Sequence, residues 1–262
     1  MEPILGRLVV LVEDGSEGKS FDLHGPQMDI GRLEGDIVLG DDPYVSPRHA
    51  RLMWTEGRWV VRDLGSTNGV YARVQGAVPL ESGDLILLGL QVLQFQAVSE
   101  AERGSAAHKG AVQHGTKLFG SRPVERLARL DQRTIEGVSG DVYYVFRDET
   151  FIGREVGDIV FTHDPFLSRR HAVVRVVKDG TDSGTARGPR PAGASKFTVE
   201  DLGSSNGTYL GIRRDTPLSS GDRIRIGQHL FRIDVDAPPN SLRSGPKAGN
   251  PAGEFRGDKR GS

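Results

Sequence analysis

One feature of the chain constrains its fold more than any other: it is written twice. Ile30-Gly31-Arg32 recurs as Ile152-Gly153-Arg154, and GDIVLGDDPYVSPRHA from Gly35 recurs as GDIVFTHDPFLSRRHA from Gly157. DLGSTNGVY at Asp63–Tyr71 returns as DLGSSNGTY at Asp201–Tyr209, and Pro79–Gly89 returns as Pro217–Gly227. The copies are offset by 122 positions up to His49 and His171 and by 138 from Asn68 and Asn206, so the second carries 16 extra residues between its His and its Asn. A period of this kind means that one structural unit is used twice. The extra residues fall within 178–196, a stretch of Gly, Pro, Ser and Thr that reads as an enlarged surface loop.

Within each copy, short segments rich in Val, Ile and Leu alternate with turn residues, as in RLVVLV at Arg7–Val12, RWVVRD at Arg58–Asp63 and HAVVRVV at His171–Val177. In Ala50, Leu52 and Trp54, and again in Ala172, Val174 and Val176, the two-residue apolar period fits strands with one buried face. No long segment combines a 3.6-residue apolar period with helix caps. The expected fold is therefore all-β: two sandwiches in tandem, over 5–98 and 123–236, joined by a flexible linker at 99–122. Such a linker would span roughly 25–30 Å. Residues 237–262, rich in Pro, Gly and Ser, are expected to be disordered.

Composition removes several function classes. Lys and Arg number 34 against 35 Asp and Glu, so the basic footprint of a nucleic-acid binder is missing. The chain has no cysteine, which excludes a disulfide framework, cysteine metal sites and a cysteine nucleophile and agrees with a cytoplasmic location. No stretch approaches 18 apolar residues, so no membrane insertion is expected. The apolar start lacks the charge order and small-residue site of a signal peptide and reads as a first strand.

What the copies keep in their loops is polar: Gly-Arg, Ser-x-x-His and Gly-Ser-[Thr/Ser]-Asn-Gly. That set holds a cation, small hydroxyls and an amide, with no acid and base paired for turnover, so no catalytic residue, metal or cofactor is assigned. Its fit is to a phosphate monoester. Arg forms charge-assisted hydrogen bonds with phosphate oxygens, hydroxyls and loop N–H groups complete a cradle, and an Asn amide can hold a peptide backbone.

In this ordered set, found twice, both copies resemble forkhead-associated domains, phosphothreonine-recognition modules built as eleven-stranded β-sandwiches. The resemblance covers about three quarters of the chain. It implies that Arg32 and Arg154 bind phosphate, that Ser46 and Ser168 contact it through their hydroxyls, and that Thr67 and Ser205 approach from the opposite loop. Asn68 and Asn206 would hold the peptide backbone, while His49 and His171 brace the loops. The family's basic or polar residue after the Ser is Arg169 in the second copy; Pro47 replaces it in the first, which implies weaker binding there.

The function so implied is a non-enzymatic adaptor for threonine-phosphorylated proteins, a serine/threonine kinase or its substrates among them. A doubly phosphorylated ligand would gain from effective concentration across the linker. A phosphate-independent scaffold that packs partners against a sheet face remains the alternative. GSEGKS at Gly15–Ser20 is not a P-loop, because Glu13 stands where its first Gly belongs; it reads as a hairpin turn. Asp42, Asp63, Asp164 and Asp201 read as turn formers.

Overall fold

The computed structural model describes residues 4–99, 112–117, 119–120, 124–177 and 196–235. These residues form strands and loops. Among them no helix is long and apolar enough to cross a membrane. Of the inserted stretch 178–196, all but Lys196, which begins a strand, lies outside the described residues, as does the tail 237–262.

The first repeat supplies β1 (Ile4–Leu11), β2 (Glu17–His24), β3 (Gln27–Gly31), β4 (Ile37–Val38), β5 (Ala50–Thr55), β6 (Arg58–Asp63), β7 (Val70–Arg73), β8 (Ala77–Leu80), β9 (Leu85–Leu88) and β10 (Gln91–Ala97). A small hairpin follows, β11 (Val112–Gln113) and β12 (Thr116–Lys117). The second repeat supplies β13 (Ala128–Arg133), β14 (Ser139–Val145), β15 (Glu149–Gly153), β16 (Ile159–Val160), β17 (Ala172–Val177), β18 (Lys196–Asp201), β19 (Thr208–Gly211), β20 (Thr216–Leu218), β21 (Arg223–Ile226) and β22 (His229–Asp234). The β1–β2 turn closes at Val12–Ser16, where the sequence reading put a hairpin in place of a P-loop.

The repeats do not fold as separate units. One ten-stranded sheet runs in the order β14-β13-β10-β9-β19-β7-β21-β22-β1-β2. Two five-stranded sheets, β20-β6-β5-β3-β4 and β16-β15-β17-β18-β8, complete two sandwiches. Each sandwich thus takes its first seven strands from one repeat and its last three from the other. The core around Leu8, Trp59 and Val70 is completed by Leu218, Ile224, Ile226, Phe231 and Ile233. The core around Ala128, Ile152 and Phe197 is completed by Leu80, Ile86, Leu88, Leu93 and Phe95. Phe95 meets Phe197 with ring centroids 5.0 Å apart, an aromatic contact between the repeats.

The crossing point is short. Residues 74–76 separate β7 from β8, and 212–215 separate β19 from β20. Short hinges favour strand exchange over tight reversal. Here β7 runs on into the pairing with β19, and Val74 N–H donates to Thr208 O at 2.8 Å. The hinge side chains then lock across the repeats. Gln75 donates to Asp222 (2.7 Å), while Arg213 grips the buried carboxylate of Asp84.

The contiguous units 5–98 and 123–236 therefore describe the repeat in sequence and not the packed bodies. Segment 99–122, read as an inter-domain linker, begins and ends in one sandwich: β10 and β13 are antiparallel neighbours, and Val98 N–H donates to Leu127 O at 3.1 Å. Within it, β11 and β12 pair around His114 and Gly115, both at positive φ (51° and 78°), the geometry of a tight hairpin turn. The sandwiches are joined by the crossing strands themselves.

Candidate functional site

In each sandwich the matched loop residues converge at one edge. The loop after β4 carries Ser46 and His49, the loop after β6 carries Thr67 and Asn68, and Arg32 follows β3 directly. The backbone sets Arg32 in place, with Arg32 N–H bonded to Ser46 O (2.9 Å) and its Nε–H to Val45 O (3.0 Å). Leu33 and Glu34 N–H groups both bond to Pro47 O. A Cβ at Gly31 would overlap that same carbonyl, as one at Gly153 would overlap Arg169 O. This close approach is why Gly precedes the Arg in both copies.

His49 and His171 each make contacts from both ring nitrogens. Ser46 N–H donates to His49 Nδ1 (3.0 Å), and His49 Nε2 lies 3.1 Å from Gly69 O. The equivalent contacts of fully buried His171 are Ser168 N–H (3.1 Å) and Gly207 O (3.1 Å). Each ring thus accepts at Nδ1 and donates from Nε2, the neutral form, and ties the Ser loop to the Asn loop. The loops also meet directly: Thr67 N–H donates to Ser46 Oγ (3.0 Å) and Ser205 N–H to Ser168 Oγ (3.1 Å). Asn68 donates to Tyr44 O and Asn206 to Phe166 O, each at 2.9 Å.

Two further sets of residues escaped the sequence reading. Ser66 and Ser204 clamp the Asn turn. Ser66 Oγ donates to Asp63 (3.0 Å) and accepts from Gly69 N–H (2.9 Å); Ser204 does the same with Asp201 and Gly207. Burial works to raise the Asp201 carboxyl, but hydrogen bonds from Ser204 and Thr208 outweigh it and hold the group below the usual carboxylate range. The second missed residue is Glu155. It accepts from Arg154 (3.1 Å) and from Arg169 (3.0 Å), so an internal carboxylate occupies both cations. Leu33 stands in its place in the first copy, and no carboxylate pairs with Arg32 among the described residues.

Arg48 and Arg170 turn away from both sites. Arg48 reaches Asp29 at 3.5 Å, and Arg170 lies over the Phe151 ring at 3.7 Å. Neither stands in for the residue after the Ser, so Pro47 leaves the first site without that side chain. The loop itself rests on the other repeat. Buried Asp42 accepts from Tyr44 N–H (2.9 Å) and from Gln228 N–H (2.7 Å). Buried Asp164 accepts from Phe166 N–H (3.0 Å), Leu90 N–H (2.8 Å) and Gln91 Nε2 (2.9 Å). Sequence alone marks these carboxylates as local turn formers; they also bind the hairpin that crosses over.

Two outcomes follow from this geometry. Glu155→Gln, read in an Arg32→Ala background, should tighten phosphate binding at the second site about two- to fivefold, because exposed ion pairs compete by a few tenths of a kcal/mol to ~1 kcal/mol. Titration calorimetry with a phosphothreonine peptide checks it, and weaker binding would make Glu155 a ligand-positioning group instead. The other outcome concerns pH. Burial pulls the His171 ring below the ordinary imidazole range, against opposing pulls from Gly207 O, Asp201 and Asp164. The unfolded chain then takes up a proton near pH 6.5 that the folded one resists. This stability is intact above pH 6.5 and is lost as the pH falls toward the lowered value. Tm should drop across that window, and His171→Gln should flatten the drop; an equal slope in both proteins would remove His171 as its source.

The chain is similar in sequence to known proteins. The family model described as FHA domain matches residues 28–89 and 150–227. The FHA domain-containing protein FhaB of Mycolicibacterium smegmatis is 35% identical over 95 residues, covering 35% of this chain and 61% of that protein. The oxoglutarate dehydrogenase inhibitor of Corynebacterium glutamicum is 38% identical over 98 residues, 36% of this chain and 68% of that protein. The chain thus spans about three fifths of the length of FhaB. Among solved structures, the Mycobacterium tuberculosis EmbR complex with a low affinity phosphopeptide matches at 27% identity and a TM-score of 0.18, covering 41% of this chain and 27% of that one.

Proposed function

The chain belongs to the FHA-domain family, and from that premise we propose that it is a non-enzymatic, phosphothreonine-dependent protein-binding adaptor in serine/threonine kinase signalling, with two binding sites. FHA domains are interaction modules. The observation that carries the reading is the same braced arrangement built twice: a half-buried Arg, a Ser whose Oγ accepts from the opposite loop, a neutral His tying the loops, and an exposed Asn with a spare acceptor. Nothing in that arrangement pairs an acid with a base at a nucleophile. It offers positive charge and neutral donors to a group with nearly two charges and three acceptor oxygens.

In this reading Arg32 and Arg154 take the phosphate, with Ser46, Thr67, Ser168 and Ser205 as neutral donors and Asn68 and Asn206 on the peptide backbone. Arg169 adds a second cation at the second site when phosphate displaces Glu155. The partners are threonine-phosphorylated proteins, and the cytoplasm is where the reading places the encounter.

The experiment is a peptide capture with phosphorylated and unphosphorylated bait. Arg154→Ala should lose at least tenfold in affinity at the second site and Arg32→Ala the same at the first, since a charge-assisted hydrogen bond is worth about 1.5–3 kcal/mol. If the double variant retains parental affinity, or the unphosphorylated bait binds as well, the protein is a phosphate-independent scaffold and the site assignment is wrong.

A further inference from the structure

The two sites are set on neighbouring strands. β7 leaves the loop that bears Thr67 and Asn68, and β19 leaves the loop that bears Ser205 and Asn206. These strands are antiparallel, with Tyr71 opposite Gly211 and Arg73 opposite Tyr209. The ladder continues at both ends, through Ile212 N–H to Val70 O (2.9 Å) and Val74 N–H to Thr208 O (2.8 Å). Loops that lead into antiparallel neighbours lie at opposite ends of the strand pair. The register sets Gly69 level with Arg213, six residues along the chain from Gly207, which is about 20 Å at the strand rise.

This separation is built into the body of the protein. β7 and β19 are interior members of the ten-stranded sheet. Asp42 and Asp164 pin each site's loop to the hairpin of the other repeat. Arg213 with Asp84, and Gln75 with Asp222, lock the hinges. No tether can bring one site around to the side of the other.

Resting on the phosphothreonine reading above, we propose that the chain is a phosphate-dependent cross-linker. It holds two separate phosphothreonine-bearing chains, one at each end of the β7–β19 pair, and does not clasp two nearby phosphothreonines of one segment. The partner so proposed is an assembly that presents phosphothreonine on more than one chain, two copies of one phosphorylated protein being the simplest case that meets a separation of about 20 Å without a long intervening segment. The gain in effective concentration that a flexible tandem would give a doubly phosphorylated peptide is lost when geometry forbids simultaneous engagement. An extended chain covers at most about 3.3–3.6 Å per residue, so phosphothreonines fewer than about six residues apart cannot reach 20 Å even along a straight line.

The test uses the full chain and a pool of short phosphothreonine peptides degenerate at the flanking positions. A surface bearing the pool captures the protein, and a fluorescent copy of the pool is then added. The wild type should bind the second peptide; Arg32→Ala and Arg154→Ala should each be captured and bind none. Peptides with two closely spaced phosphothreonines should gain less than about tenfold over singly phosphorylated ones. A larger gain that either Arg substitution abolishes would overturn the cross-linker and leave both sites as phosphothreonine sites. Capture of the wild type with no second peptide bound would also overturn it. Failure of the phosphorylated pool to capture any form would sink the phosphothreonine reading itself.

Discussion

Phe231→Ala, a substitution in the second repeat, is expected to destabilise the sandwich that carries Arg32 by about 3–5 kcal/mol, the range for truncating a large core aromatic. Phe231 is fully buried. It stands on β22 opposite Val10 of β1 and Ile224 of β21, in the core with Leu8, Leu23 and Trp59. Its loss leaves a cavity among first-repeat side chains. Phe95→Ala, in the first repeat, should damage the other sandwich, where Phe95 packs on Phe197. Binding at each site, read with the other disabled by Arg→Ala, separates the cases. The exchanged fold requires Phe231→Ala to abolish binding at the Arg32 site and Phe95→Ala to abolish it at the Arg154 site. If each substitution silences the site of its own repeat, the strands are not exchanged.

The sequence could not have chosen between those outcomes, and the reason is the repeat itself. Leu80 of β8 sits opposite Phe197, and Leu218 of β20 sits opposite Trp59. Phe197 and Trp59 occupy the same place in the two copies, as do Leu80 and Leu218. Local register, alternation and turn residues are therefore satisfied equally whichever copy receives the strand. In the exchanged fold Val74 N–H meets Thr208 O across the seam, and that partner is invisible to local pattern. The strands and the loop residues were legible because they depend on nearest neighbours: β6 begins and ends where RWVVRD does, and His49 falls three residues after the Ser whose N–H it accepts. Glu155 was not legible as part of the site. Its neighbours in sequence are unremarkable for a surface loop, and only the fold brings Arg169 back to it.

Asp164→Ala should cost about 3 kcal/mol of stability and lower affinity at the second site by tenfold or more. Its carboxylate is buried and accepts three hydrogen bonds, two of them from backbone N–H groups, Phe166 and Leu90. Bonds to a charged acceptor are worth about 1.5–3 kcal/mol each, and buried donors left without a partner add a desolvation cost. The loss does not stay local. Phe166 O is the acceptor for Asn206, and Leu167 N–H bonds to Asp164 O just before Ser168. A loosened turn therefore displaces both the amide that would hold the peptide and the hydroxyl that would meet the phosphate. The Gly89 turn packs directly against the carboxylate, within 2.7 Å of where a Cβ would stand, so truncation opens a gap between that turn and the loop. Thermal unfolding and peptide titration measure the two effects in one protein. A normal Tm with normal binding would mean that the first-repeat hairpin does not support the second site. A lowered Tm with unchanged affinity would separate the hairpin's role in the fold from any role in shaping the loop.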